Sequence, residues 1–214
     1  MGAYNTLHEY GEDEIIIDKS TFIGYAKPIK TEEEALEFVN IIKKKHKDAT
    51  HNVWAYTVGP NMNIQRYSDD GEPQGTAGIP TLEVIKKEDL RDCVVVVTRY
   101  FGGIKLGAGG LVRAYTKGAK FGIEAAKVIK KVKYQEIKIK IDYTQLGRVQ
   151  NEIINLGYFI KDTIYEDNVE VIVYSRLEEL NGLTSRIVDI TSATANIVLG
   201  EEFYLSEKDG SILL

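Results

Sequence analysis

Residues Cys93 to Arg99 read Cys-Val-Val-Val-Val-Thr-Arg, and four consecutive valines leave a chain few places to put them. Side chains branched at Cβ are stiff at χ1 and pack well on a pleated surface, so the run predicts a strand buried on both faces. Five glycines follow within nine residues, at positions 102, 103, 107, 109 and 110, and Leu111 to Lys127 then has apolar residues at helical spacing. Strand, glycine-rich loop and helix in that order let backbone N–H groups approach and hold an anion. Arg99, Lys105, Arg113 and Lys117 bracket the loop. Phosphate or a nucleic-acid backbone is therefore the first ligand to consider.

Two named phosphate motifs fail on this segment. Gly102 to Gly107 fits Gly-x-x-x-x-Gly, but Ala108-Gly109 stands where a P-loop needs the Lys-Ser/Thr that reaches phosphate and magnesium. Gly107-Ala108-Gly109-Gly110-Leu111-Val112 lacks the third glycine of the dinucleotide fingerprint. What survives is a generic anion or nucleic-acid site of Arg99, Tyr100, Gly102, Gly103, Lys105, Gly107, Gly109, Gly110 and Arg113, with no cofactor expected. Tyr67, Tyr100, Phe101 and Tyr115 lie in or beside it and could stack on bases. A structural alternative stays open: the glycines let the helix pack tightly on the sheet or permit left-handed turns, and the aromatics belong to the core.

Upstream, Asp69-Asp70-Gly71-Glu72-Pro73 gathers three acids within four residues. The alternating Asp-x-Asp-x-Asp-Gly of a calcium loop is absent, and adjacent Asp69 and Asp70 point apart on an extended chain, so the local chemistry is that of a tight turn. Asp69, Asp70 and Glu72 could nevertheless face Arg99 and Lys105 across an acidic cleft. His46 and His51 have zinc-finger spacing, but no cysteine pair accompanies them and His8 is distant, so no metal is expected. His51, at the mouth of a strand over 52–58, reads first as a polar strand start and second as a surface site. Cys93 opens a buried strand and reads as a small core residue rather than a nucleophile, and no Gly-x-Ser-x-Gly elbow occurs. No enzymatic activity is expected from these residues.

The remaining elements follow from period and punctuation. Residues 14–20 and 21–29 form a hairpin turning at Asp18-Lys19-Ser20. Thr31 caps a helix whose first turn is Glu32-Glu33-Glu34 and whose end carries Lys43, Lys44, Lys45 and Lys47, as the helix dipole favours. Gly59-Pro60-Asn61 turns into a short strand over 64–67, and a helix spans 79–87. Further on, a strand at 134–143, a helix capped by Thr144 and closed by Gly157, strands at 158–165 and 169–175, a helix over 177–190 and a strand from 194 to 205 give βαββαβ, the split ferredoxin-like order.

At 214 residues the chain holds two modest domains, and the charge distribution agrees. The net charge of −5 splits into +2 over residues 1–133, with 20 Lys and Arg against 18 Asp and Glu, and −7 over 134–214, with 7 against 14. A polyanion-binding face would belong to the first part. One cysteine excludes an intrachain disulfide, no apolar run approaches the roughly 20 residues that span a bilayer, and no signal peptide opens the chain, so a cytoplasmic protein with no membrane partner is expected. Met1-Gly2 to Thr6 fits a myristoylation pattern, a short match of the kind chance supplies.

Asp69-Asp70-Gly71-Glu72-Pro73, Gly75-Thr76-Ala77-Gly78 and Val97-Thr98-Arg99-Tyr100-Phe101-Gly102-Gly103-Ile104-Lys105-Leu106-Gly107-Ala108-Gly109-Gly110-Leu111-Val112-Arg113-Ala114-Tyr115 together resemble the signature of the Impact family, in its bacterial YigZ-type branch. Lys19 to Ile23 and Ala49-Thr50-His51-Asn52 fit as well. The resemblance implies an α+β protein of two domains: residues 1–133 with a fold like the second domain of ribosomal protein S5, and 134–214 with a ferredoxin-like fold, each similar to a domain of elongation factor G. It further implies an association with RNA, the ribosome or a translation-associated protein, since eukaryotic relatives are linked to translational control under starvation. Some bacterial relatives carry a proline-dipeptidase label, which leaves a metal-dependent Xaa-Pro hydrolase at Asp69, Asp70 and Glu72 as one alternative and a protein-binding adaptor as another.

Overall fold

The computed structural model describes residues 3–59, 61–208 and 210–213. The myristoylation pattern at Met1-Gly2 and the Pro60 of the expected turn fall outside them. The chain divides into two compact units, Tyr4–Lys130 and one built from Lys131 onward to the C-terminus. Among the described residues, no helix is long and apolar enough to cross a membrane.

The N-terminal unit holds β1 (Tyr4–Leu7), β2 (Gly11–Ile17), β3 (Ser20–Pro28), α1 (Glu32–Lys45), β4 (His51–Val58), β5 (Ile64–Ser68), α2 (Gly78–Lys87), β6 (Cys93–Tyr100) and α3 (Gly107–Ala126). Its sheet runs in the order β2-β3-β6-β4-β5 with antiparallel neighbours throughout. The valine strand β6 is the middle of this sheet, and its alternation places its side chains in two separate cores. Val95 and Val97 join Phe22, Val53 and Ala55 beneath α2 and α3. Val94 and Val96 join Tyr25 and Tyr56 beneath α1. The hairpin forms as expected, one residue earlier in its second strand: Asp18 and Lys19 take φ of 45° and 64°, the left-handed pair that matches a two-residue turn to strand twist.

Thr31 caps α1 through a 3.2 Å bond from the Glu34 N–H to its hydroxyl oxygen. At the other end, His46 lies between two hydroxyls, with Nε2 2.6 Å from Tyr25 Oη and Nδ1 2.8 Å from Tyr100 Oη. Burial first, and then the neighbouring Lys45, hold this imidazole below its usual value, opposed in part by Glu12. The folded state therefore takes up its proton less readily than the unfolded chain, and the stability it contributes is lost as pH falls below the ordinary 6.5. Urea midpoints measured across that window are expected to fall more steeply for the native chain than for His46→Gln.

The second unit follows β7 (Val128–Ile141) with α4 (Leu146–Asn155), β8 (Phe159–Tyr165), β9 (Val169–Arg176), α5 (Leu180–Ile190), β10 (Asn196–Lys208) and β11 (Ser211–Leu213). The sheet order β10-β7-β9-β8, with β11 added at the edge, is that of the ferredoxin-like fold. Its core is formed by Ile137, Ile139 and Ile141, Val169, Val171 and Val173, and the inward faces of α4 and α5. Both halves of the expected α+β architecture are present. Two local expectations fail: Thr144 lies inside a single 3-10 turn (Tyr143–Gln145) that precedes α4 instead of capping it, and a matching 3-10 turn (Leu177–Glu179) precedes α5, which begins at Leu180; β1 is an addition for which the sequence carries no signal.

Close backbone approach fixes α3 to the sheet. A Cβ on Gly24 of β3 would fall 1.9 Å from the Gly118 carbonyl oxygen, and one on Gly122 would fall 2.8 Å from the Gly24 carbonyl carbon. Gly24→Ala is therefore expected to destabilise by about 3 kcal/mol or to prevent folding, beyond the usual cost of overpacking. Gly182→Ala on α5, where no atom lies within 4 Å, is expected to raise stability by about 0.5–1 kcal/mol. Urea denaturation of the two variants checks the contrast.

Candidate functional site

The turn after β5 and the end of β6 meet through Glu72. Arg99, paired across the sheet with His51 of β4 and with Phe22 of β3, projects on the same face as Val95 and Val97. Its Nη1 donates to Glu72 Oε1 at 2.7 Å, and the Tyr115 hydroxyl of α3 donates to the same oxygen at 2.7 Å. Arg99 is 5% and Glu72 8% exposed, so the pair is an internal one. Burial and the bond to the carboxylate push the Tyr115 hydroxyl far above its usual range. The guanidinium lies 5.4 Å from the ring centroids of both Phe22 and Phe101. Its Nε is buried without a hydrogen-bond partner.

The other two acids of the turn serve the backbone. Asp69 accepts bonds from the N–H groups of Gly75, Ala77 and Gly78 at 2.9, 3.1 and 2.8 Å, and so caps α2, whose own cap residue Ala77 offers no side-chain bond. Asp70 takes φ of 46° and accepts from the Asn52 N–H at 2.7 Å and from Lys43 Nζ at 2.6 Å. The two carboxylates point apart, and the expected acidic cleft of Asp69, Asp70 and Glu72 is reduced to Glu72 alone. Among the described residues, no group of three or more His, Cys, Asp or Glu could hold a metal ion.

A cavity of about 350 Å³ opens over the Arg99–Glu72 pair, walled by residues that include Thr50, His51, Phe101, Lys105, Leu106 and Gly107. His51 Nδ1 lies 2.8 Å from the Asp70 carbonyl oxygen, which can only accept, so Nδ1 carries a proton and Nε2 faces Glu72 Oε1 at 3.8 Å. The Thr50 hydroxyl accepts from the Phe101 N–H at 3.0 Å, which ties the glycine segment to the start of β4.

Of the candidate binding residues, the structure brings Arg99, Lys105 and Gly107 to this cavity. Tyr100 points to the opposite face of the sheet, where it meets His46. Gly102 is a packing residue, since a Cβ there would sit 2.0 Å from the Lys19 carbonyl. Gly103 has φ of 87° and open surroundings. Gly107, Gly109 and Gly110 lie in the first turn of α3 instead of a preceding loop, because the helix begins four residues earlier than its apolar spacing does. Arg113 is exposed on α3, with Nη1 3.7 Å from where a Gly109 Cβ would stand. Thr50, Leu106 and Leu111 are not among the residues the sequence singles out, and His51 stands there behind a structural reading. The signal for Thr50 and His51 is the Ala49-Thr50-His51-Asn52 stretch, where His51 pairs with Arg99 in a register that only the sheet reveals, while Leu106 and Leu111 have none beyond lying in the glycine segment and the helix after it. Cys93 is buried, its thiol pushed up to about 12 by desolvation, as befits a core residue.

Helix α3 starts without a side-chain cap and with no acid in its first turn. Its leading N–H groups have no intrahelical acceptor, and the helix dipole adds positive potential there. The chemistry on offer is anion binding against an apolar wall.

Removing the charge of Glu72 strands a buried guanidinium. Glu72→Gln is expected to cost about 3–5 kcal/mol in urea denaturation, whereas the double change Glu72→Leu with Arg99→Met is expected to recover most of it.

Comparison with known proteins bears on both units. A family model described as "Impact N-terminal domain" matches residues 18–123, and one described as "Domain of unknown function (DUF1949)" matches residues 139–194. The chain is 45% identical over 207 residues to the IMPACT family member YvyE of Bacillus subtilis (strain 168), covering 97% of this chain and 95% of that one. It is 36% identical over 151 residues to the IMPACT family member YigZ of Escherichia coli (strain K12), covering 66% and 74%. It is also 38% identical over 94 residues to Protein IMPACT of Xenopus laevis, covering 42% of this chain and 30% of that protein. A solved structure described as "Crystal structure of an hypothetical protein" matches with a TM-score of 0.59 at 27% identity, over 94% of this chain and 98% of the other.

Proposed function

The chain belongs to the IMPACT family, and from that premise we propose that it is a non-enzymatic cytoplasmic regulator that contacts RNA, free or within the ribosome, by gripping phosphate at the start of α3. The observation that carries this reading is the uncapped, acid-free first turn of a 20-residue helix opening beside Arg99 and Lys105. Exposed Arg113 and Lys117 extend the basic face along the same helix. Phe101, 47% exposed at the cavity edge, offers a ring on which a base can stack. The translational role implied by the family resemblance supports the same ligand.

A carboxylate-centred hydrolase is the weaker reading, because Asp69 is spent on capping α2, Asp70 on the Asn52 N–H and Lys43, and Glu72 on Arg99 and Tyr115. Each carboxylate is already engaged by a structural partner, and the three do not converge on one point.

Single-stranded RNA and ribosomes titrated with the protein across a salt series test the proposal. Binding is expected to weaken in the Lys105→Ala, Arg113→Ala double variant, with the slope of log K against log salt shallower by roughly 0.7 for each phosphate no longer neutralised. Both side chains are exposed, so the fold is retained. Absence of RNA binding, or binding unchanged in the double variant, would overturn it.

A further inference from the structure

We propose that the cavity over the Arg99–Glu72 pair is a phosphomonoester site, taking the terminal phosphate of a nucleoside 5′-monophosphate, either as the free nucleotide or as the 5′ end of an RNA chain. The proposal deepens the anion-binding reading above and rests on it.

Two features converge on the cavity, and a third lies next to it. The first is the start of α3, whose leading N–H groups lack acceptors and whose first residues, Gly107 and Ala108, belong to the wall. The second is Arg99: the residue is 5% exposed, lines the cavity, and has an Nε with no partner even though Nη1 is paired. A buried donor left unmade is costly, and a ligand oxygen seated against Arg99 would supply an acceptor. The third lies beside the wall: Gly109, the residue after the wall residue Ala108 and not itself on the wall, has neither a positive φ nor any neighbour that a Cβ would press upon, the nearest atom being the far end of Arg113 at 3.7 Å. Packing and backbone geometry therefore do not demand glycine there, whereas close approach of a ligand to the helix start does.

The donors suit an ester end better than a chain interior. A phosphomonoester carries close to two negative charges at neutral pH and three terminal oxygens, against one charge and two such oxygens for an internal diester. Helix N–H groups, Lys105 and Arg99 supply the larger number of donors. The Glu72 carboxylate also lines the cavity, its charge offset by Arg99, so the net attraction for the ligand comes from Lys105 and the helix start. Pro73, Phe101, Leu106 and Leu111 give the rest of the wall an apolar character that fits a sugar and base. A volume of about 350 Å³ falls in the range of small-ligand pockets. A single phosphate also needs neither the magnesium-binding Ser/Thr nor the pyrophosphate-crossing glycine that the segment lacks.

The experiment uses the full chain in two arms. In one, adenosine 5′-monophosphate and adenosine are titrated by calorimetry; in the other, RNA oligomers of one sequence with a 5′-phosphate or a 5′-hydroxyl are followed by anisotropy. The phosphorylated member is expected to bind about tenfold or more tightly in at least one arm, the worth of one or two charge-assisted bonds. Gly109→Asp places a carboxylate in the first helical turn, where it favours the helix but occupies the anion's field. This variant is expected to keep or raise the thermal midpoint while abolishing the discrimination, and Lys105→Ala is expected to reduce it. Discrimination against adenosine with no RNA binding supports the site and removes the RNA reading. Salt-sensitive RNA binding that ignores the 5′ end, with no nucleotide discrimination, overturns the site and leaves the RNA reading standing. Discrimination that survives Gly109→Asp also overturns it.

Discussion

A single carboxylate oxygen, Glu72 Oε1, holds the N-terminal unit's two signature segments together. It accepts from Arg99 at the end of the central strand and from Tyr115 in the long helix, and it belongs to the turn that caps α2. A buried ion pair of this kind is weak evidence for net stability, because desolvation takes back most of its Coulomb energy. Its consequence is geometric. Once Arg99 must meet Glu72, the Asp69–Gly78 turn is held against the end of β6, α2 starts where Asp69 can cap it, and His51 is drawn to the cavity by its bond to the Asp70 carbonyl. An apolar replacement could fill the same volume, but it would not tie three chain segments in one arrangement.

Those parts of the fold governed by nearest neighbours are legible in the sequence. The valine run announces a strand buried on both sides, and its alternation does divide between two cores. Thr31 ahead of three glutamates locates the start of α1, and Gly157, at φ of 80° with its N–H on the Ile154 carbonyl, closes α4 as its position suggests. Where the sequence misleads, the local signal is overridden or missing. Thr144 has the chemistry of a cap, yet α4 is entered through a 3-10 turn that leaves that hydroxyl without a capping role. The lysine-rich stretch between 128 and 133 gives no reason to extend a strand upstream of Tyr134, but β7 runs unbroken from Val128. Strand β1 is four residues long and has no period to detect.

The candidate site is legible as a segment and illegible as a site. Arg99, Lys105 and Gly107 are marked out by their spacing, and the structure does collect them. Tyr100, adjacent to Arg99, is carried along by proximity in sequence and lies on the other face, as the two-residue period of a strand requires. The acids show the same limit in reverse. Three carboxylates within four residues suggest shared chemistry, but each is consumed by a different partner, two of them by backbone groups that no side-chain pattern can reveal.

The glycines separate structural from chemical demand. Tight packing of helix on sheet is one expected role of the run at 102–110, and Gly102 alone performs something like it, against the hairpin turn at Lys19. Helix α3 is instead pressed onto the sheet by Gly118, Gly122 and Gly24, outside that run. Gly103 and Gly107 are accounted for by positive φ and Gly110 by a 3.0 Å approach to Leu106, which leaves Gly109 without a conformational or steric reason. A helix that spends glycines in its first turn, forgoes a capping side chain and excludes acids gives up stability that ordinary substitutions would restore. Local rules broken at one place, next to a cavity with an orphaned arginine nitrogen, are the pattern expected where a ligand supplies what the chain withholds.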